Sequence, residues 1–428
     1  MEIIIAHSHL NPGGVTRIIE SQIESLKGCS VRVVVGDCQD PGNITRRGAE
    51  LSVLNSLNYL ENRNYSDGEA EDMLEKIFNQ LKSLLKSDSV LHFHNLNLGK
   101  NPVVTYAVYL LAKKGYKVFN HAHDFAEDRP ANYRFLEAVI KGNFKADLKE
   151  VLYPDIETYQ FGVLNSFDYE RLIQYGISKE RILWIPNPVT FSAKNDVSDK
   201  SGAKSGICKE LALDPAKLLV TYPVRVIKRK NIGEFILLAE MFHERANFVV
   251  TQPPQNPVEI GLYRKWVNFC KKEKINVVFE AGTLVDFEKL IIGSDFCITT
   301  SYQEGFGMVY LEPWLLNTPV VGRDIDYISR DFKADGFEFP ALYSKIVVDE
   351  KGTDFKDLSM EDQMRIILNV KTDPQFKAHI FKQNPVSNLL FKSVSETEMK
   401  RNVTIIKNKY SLEGYGIKLK ERYRAMVG

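Results

Sequence analysis

The sequence predicts an α/β protein built from two doubly wound domains in series. Three observations carry that prediction. Short apolar runs of strand length alternate with segments of helical period along most of the 428 residues, the pattern of mostly parallel sheets covered on both faces. The alternation breaks at Ile185-Pro186-Asn187-Pro188 and then restarts. The composition, 44% hydrophobic and 26% charged, is that of a globular chain with room for two or three domains.

Taken in order, Glu2–Ala6 reads as a buried strand, followed by a turn at Asn11-Pro12-Gly13-Gly14. Val15–Lys27 is helical, with Val15, Ile18, Ile19, Ile23 and Leu26 in period. Val31–Val35 is a strand, Glu69–Lys86 an amphipathic helix, Val90–His94 a strand, Pro102–Lys114 a helix and Tyr116–His121 a strand. Gln160–Leu164 is a further strand, and Ser166 is expected to cap a helix through Tyr175. The two prolines at 186 and 188 forbid helix and mark a boundary. Lys194–Gly206, rich in Ser, Lys, Asp and Gly, is expected to be a solvated loop. The second series has strands at Leu218–Tyr222, Phe248–Thr251, Val277–Glu280, Phe296–Thr299 and Pro319–Val321. Its helices are expected at Asn231–His243, Tyr263–Lys274, Phe287–Ile292 and Tyr310–Leu316. Ser411 is placed to cap a last helix through Met426. The basic excess of the Lys400–Gly428 tail reads as a solvated helix face, with a membrane-surface role as the alternative.

Charge and cysteines narrow the partners. Lys+Arg 56 against Asp+Glu 55 leaves +1, so no global field recruits nucleic acid or anionic membrane. Met1-Glu-Ile-Ile-Ile-Ala6 has no basic n-region, and no apolar stretch approaches the ~20 residues that span a bilayer. Cys29, Cys38, Cys208, Cys270 and Cys297 are odd in number and lack Cys-x-x-Cys spacing. The expectation is a reduced, cytoplasmic protein.

Six of the eight histidines form His-x-His pairs, His7/His9, His92/His94 and His121/His123, each at the C-terminal end of a first-half strand. Ligands of open α/β sheets bind beyond that edge. A metal site and buried, hydrogen-bonded edge residues are the two readings. For His7 and His92 the second is preferred, while His123 with Asp124 is singled out as functional. The Gly13-Gly14 turn into a helix admits an anion at backbone N–H groups, or is simply a turn. Arg225-Val-Ile-Lys228-Arg229-Lys230-Asn231 joins a strand to a helix. Cations at a helix start oppose the macrodipole, which a phosphate grip or a surface basic patch would each explain. Thr300-Ser301-Tyr302-Gln303-Glu304-Gly305-Phe306-Gly307-Met308-Val309-Tyr310-Leu311-Glu312-Pro313 joins a buried strand to a helix and sets two glutamates eight residues apart. One carboxylate sits in the loop and the other a turn into the helix, with N–H groups between them open to an anion.

With these residues assembled, the chain resembles the retaining GT-B glycosyltransferases, and among them glycosyltransferase family 4, along nearly its whole length. Gly13-Gly14-Val15 is similar to the N-terminal glycine loop, His123-Asp124 to the cleft histidine motif and Ile185-Pro186-Asn187 to the interdomain junction. Arg225 and Lys230 match the cations flanking the donor pyrophosphate, and Glu304 and Glu312 the paired-glutamate motif. Three departures stand out. Asn231 follows Lys230 where the family usually has Gly, Gln252-Pro253-Pro254 replaces a glycine-rich turn, and Asp324-Ile-Asp326 mimics the metal motif of the other major glycosyltransferase fold. The last is read as a loop feature.

The resemblance implies two Rossmann-like domains facing a cleft. Residues 1–187 would form the acceptor side, 188–402 the sugar-nucleotide domain, and 403–428 a C-terminal helix packing back on the first domain. The implied reaction moves a hexose from a UDP-glucose or GDP-mannose type donor to a hydroxyl acceptor, small or soluble, with retention and without metal or other cofactor. Catalytic roles fall to Glu304, His123 and Asp124. Donor binding falls to Gly13, Gly14, Arg225, Lys230, Thr283, Leu284, Gly305, Phe306, Gly307, Met308, Val309 and Glu312. Asp128, Arg129 and Asn132 are the acceptor candidates, with a capped helix start as the alternative reading. As a cleft residue, Glu304 is expected to tolerate Glu304→Gln within ~0.5 kcal/mol of stability. A GT-B epimerase or phosphorylase, and a catalytically silent sugar-nucleotide-binding protein, are the competing functions.

Overall fold

The structure is a computed structural model describing residues 1–190, 197–385 and 390–428. The chain forms two compact units, Met1–Pro188 with Tyr410–Gly428, and Val189–Lys409.

Unit 1 holds a parallel sheet of seven strands: β1 (Glu2–Leu10), β2 (Ser30–Cys38), β3 (Glu50–Val53), β4 (Ser89–His94), β5 (Lys117–Ala122), β6 (Tyr159–Val163) and β7 (Ile182–Trp184). Their order is β3-β2-β1-β4-β5-β6-β7. Ile3, Ile4, Ile5 and Ala6 are fully buried, which is why β1 reads as a continuous apolar run without alternation. Helices begin where short polar side chains accept from their first turn: Ser66 from Glu69 N, Asn101 from Val104 N, and Asn165 from Asp168 N. Asn165, one residue earlier than expected, caps the helix Ser166–Gln174. The last helix, Leu412–Val427, is capped by Ser411. Tyr415, Leu419, Tyr423 and Met426 join Ile3, Ile5, Ile19 and Ile23 in one buried cluster.

Unit 2 holds a parallel sheet of six strands: β8 (Leu218–Arg225), β9 (Ala246–Gln252), β10 (Val277–Val278), β11 (Phe296–Thr299), β12 (Val320–Arg323) and β13 (Leu342–Tyr343), ordered β10-β9-β8-β11-β12-β13. Two expectations are corrected here. Residues 200–206 of the expected loop belong instead to the helix Lys200–Glu210, because Asp199 accepts from Gly202 N and Ala203, Ile207 and Cys208 are buried; residues 194–196 of that expected loop lie outside the described residues. Tyr310–Leu316 is not an α-helix but part of two 3₁₀ turns, Met308–Tyr310 and Glu312–Leu316. Pro313 has no N–H to donate to a ladder, and Asn317 ends the second turn in the left-handed region at φ 57.

Candidate functional site

In unit 2 the strand order reverses between β8 and β11, the switch point beyond which open α/β sheets bind ligands. Arg225 is the last residue of β8, and the Glu304 loop leaves β11. Two hydrogen bonds stitch the two loops together: Thr300 Oγ1 donates to Lys230 O at 3.0 Å and Tyr302 N to Arg229 O at 3.1 Å. From β8 itself, Tyr222 Oη donates to the same Lys230 carbonyl at 2.7 Å. Asn231, standing where glycine is usual, has φ 52 and ψ 53; among residues with a side chain, Asn tolerates that left-handed geometry best, and the backbone path survives the departure.

Glu304 is the centre of this loop pair. Lys230 Nζ binds Oε1 and Arg229 Nη1 binds Oε2 at 2.7 Å. Its side chain is 8% exposed and that of Lys230 12%. Burial alone would raise the carboxyl pKa, but the two cations reverse this and hold it below the usual range. Tyr327, which the motif reading missed, clasps the Glu304 backbone: its hydroxyl donates to Glu304 O at 2.9 Å and accepts from Glu304 N at 3.2 Å. Arg225 differs from Arg229, since its buried Nε has no hydrogen-bond partner among the described residues. Gly307 is required by the backbone: its φ is +86, and a Cβ there would lie 2.6 Å from Ile328 Cγ2. Phe306 and Val309 are buried, and Gly305, Met308 and Glu312 half-buried. Thr283 and Leu284 fall in the short helix Ala281–Leu284, which packs against Thr251 at the end of β9. Leu284 is 60% exposed, and Thr283 Oγ1 donates to Glu280 O. Asp324 is engaged by Ser329 and by Lys333 Nζ at 2.6 Å, and Asp326 opens the helix Asp326–Ala334.

In unit 1 the strand order reverses between β1 and β4. Gly13, at φ −179, caps the helix Gly14–Ser25, and a Cβ on Gly14 would meet nothing within 4 Å. Neither backbone nor packing demands these glycines, and among the described residues no side chain caps that helix start. The three His-x-His pairs form one cluster. His94 Nδ1 and His123 Nε2 lie 2.8 Å apart, His92 Nε2 and His121 Nδ1 3.2 Å, and His92 Nδ1 pairs with Tyr423 Oη. Burial, reinforced by neighbouring imidazoles, lowers His92 and His123 to about 3 and His7 to about 4, and puts His94 and His121 well below 6.5. One nitrogen from each of His92, His94 and His121 lies within 4.8 Å of the others. His94 is inclined only 30° to both of the other rings, and both its nitrogens have protein partners, His123 Nε2 at 2.8 Å and Gln22 Oε1 at 2.9 Å.

Asn95, in the left-handed region at φ 63, accepts from the N–H groups of His123 and Asp124 at 2.8 and 3.1 Å and so fixes that motif. Asp124 binds Arg129 at 2.7 Å. Of the acceptor candidates, Asp128 is held bidentately by Arg171 at 2.8 and 2.9 Å, and Asn132 donates to Leu98 O at 2.8 Å. Both are engaged by the protein itself. Gln22 was also missed, although a lone amide between Ile18, Ile19 and Ile23 on an apolar helix face was the available signal.

Two doubly wound parallel α/β units with a helical C-terminus define the GT-B fold of glycosyltransferases. The solved structure of Anabaena HepE with UDP-glucose aligns over 99% of this chain and 100% of its own, with a TM-score of 0.61 at 14% identity. WaaG, a glycosyltransferase of lipopolysaccharide biosynthesis, aligns over 95% and 100%, with a TM-score of 0.54 at 14% identity. In sequence, mannosylglucosyl-3-phosphoglycerate synthase of Petrotoga mobilis is 28% identical over 346 residues, 77% of this chain and 66% of that enzyme, just under two thirds of its length. The mannosylglucosylglycerate synthase of the same organism is 26% identical over 311 residues, 66% of this chain and 70% of that enzyme. No family model matches the chain.

Proposed function

We propose that the protein is a glycosyltransferase that moves a hexose from a nucleoside diphosphate sugar to a hydroxyl, with retention of anomeric configuration and without a metal ion. The observation that carries this reading is the Arg225, Arg229, Lys230 and Glu304 constellation at the β8/β11 switch point. As the glycosidic bond breaks, the leaving diphosphate gathers negative charge. Arg225 and Lys230 neutralise that charge through hydrogen bonds to ionised oxygens. Glu304, held ionised, is suited to sugar hydroxyls and to the positive charge developing at the ring. Glu312 takes the ribose hydroxyls, and the resemblance assigns His123 a contact to the sugar. The donor phosphate oxygen accepts the acceptor proton in a front-face attack, so no side-chain nucleophile is needed.

For the acceptor, the names of the two Petrotoga enzymes favour a small anionic glycoside of glycerate, with or without phosphate. No helix among the described residues is long and apolar enough to cross a membrane. The test is a donor panel of UDP- and GDP-hexoses scored by thermal shift, then transfer to glucosylglycerate and its 3-phosphate with and without EDTA. Transfer that survives EDTA supports the reading. Release of a new sugar nucleotide from donor alone identifies an epimerase instead, and binding without transfer to any acceptor a silent binding protein.

A further inference from the structure

We infer that Gln22 acts through His94 to hold His123 as the tautomer protonated on Nε2, so that His123 turns a bare Nδ1 to its ligand. This rests on the proposed sugar-facing role of His123.

Single hydrogen bonds link Gln22 to His94 and His94 to His123. Gln22 is 0% exposed and its amide faces two ways. Its Nε2 donates to Tyr415 Oη at 2.7 Å and lies 3.3 Å from His92 Nε2 and 3.4 Å from His121 Nδ1. Its Oε1 lies 2.9 Å from His94 Nε2. An amide oxygen only accepts, so His94 Nε2 carries a proton. His94 is neutral in this buried setting, and a neutral imidazole carries one proton, so its Nδ1 is bare. The partner at 2.8 Å, His123 Nε2, is therefore the donor, and His123 Nδ1 is left as an acceptor. His123 is also the member of this ring stack that reaches the surface, at 8% exposure against 0–1% for His92, His94 and His121. A neutral acceptor at that position recognises a hydroxyl, which has a proton to give, and discriminates against a carboxylate or phosphate, which has none. Tyr415, from the C-terminal helix, accepts from the amide Nε2 in this orientation; its hydroxyl could equally donate to a reversed amide, which would give the opposite tautomer, and the wild-type spectrum decides between them.

The test uses the full chain labelled with nitrogen-15 histidine at neutral pH, read by long-range proton–nitrogen correlation. His123 is assigned by its loss in His123→Asn. The inference predicts a protonated Nε2 and an unprotonated Nδ1; a protonated Nδ1 overturns it. Gln22→Met keeps the volume but removes the acceptor oxygen. It should give His123 a mixed-tautomer spectrum and lower kcat about tenfold, the worth of one hydrogen bond, with nucleoside diphosphate affinity unchanged. Gln22→Glu, which retains an acceptor oxygen, should restore the single tautomer. A His123 spectrum in Gln22→Met that stays wholly of the Nε2–H form overturns the relay, and the wild-type spectrum decides the tautomer even if that variant does not fold. Full activity in His123→Ala alongside the predicted spectrum would remove His123 from the reaction and leave the relay standing.

Discussion

Glu304 lies between two cations with 8% of its side chain exposed, so Glu304→Gln acts on three quantities at once. Turnover should fall about a hundredfold, the scale for loss of one transition-state stabiliser. Burial revises the sequence-based expectation of an almost neutral effect on stability. Lys230 loses its counter-charge, and a loss of about 1–3 kcal/mol is expected. The same freed cations should bind nucleoside diphosphate more tightly. Initial-rate kinetics, denaturant melts and diphosphate titration check the three together. Unchanged diphosphate affinity would show that Lys230 and Arg229 do not face the ligand. Glu312→Gln should mainly raise the donor KM, because a ribose contact is equal in ground and transition states. At this scale the meeting of Lys230 with Glu304 was legible, because both stand in charged, glycine-bearing strand-to-helix loops that leave neighbouring strands. Gln22, Asn95 and Tyr327 were not, because their roles come from partners 72, 28 and 23 residues away.

Between elements, the close approach of two helices gives a sharper prediction than propensity does. A Cβ on Gly416, in the helix Leu412–Val427, would lie 2.5 Å from Ser25 O and 2.9 Å from Ser25 Cβ, at the end of the helix Gly14–Ser25. Gly416→Ala should therefore destabilise by about 1–3 kcal/mol despite alanine's better helix propensity. Gly261, in the helix Pro257–Glu273, has nothing within 4 Å of such a Cβ, and Gly261→Ala should stabilise by about 0.5–1 kcal/mol. Urea melts of both variants check the pair, and equal effects would show that helix contact does not set the difference. Element reading succeeded where burial is symmetric, as in β1 and β4. It failed at Lys200–Glu210, whose polar face hides three buried positions, and at Glu312–Leu316, where apolar spacing suits an α-helix but Pro313 and Asn317 shorten it to a 3₁₀ turn.

The molecule as a whole carries an acid liability in unit 1. His7, His92, His94, His121 and His123 face one another, with His9, Tyr415 and Tyr423 beside them. Their folded pKa values lie below 6.5, so the unfolded chain binds more protons than the fold at mildly acid pH. Stability is then fully present above about pH 6.5 and falls as the pH drops toward 3. One histidine lowered to about 3, as His92 is, loses about 2 kcal/mol between pH 7 and 5. Asp168, raised by burial to about 6, acts with the opposite sign, but it is one group against several. Denaturant melts at pH 7 and 5 should show a clear net loss, and a flat profile would mean that the histidines are not buried as neutral rings.

The central claim is that the β8/β11 switch point binds the diphosphate of a sugar nucleotide through Arg225 and Lys230. Calorimetric titration of UDP and GDP into the full chain and into Arg225→Ala tests it most directly. Hydrogen bonds to charged groups are worth ~1.5–3 kcal/mol, so one of the nucleotides should bind the native chain and bind the variant roughly tenfold or more weakly, at unchanged melting temperature. Binding of neither nucleotide to the native chain, or equal affinity in the variant, would contradict the account.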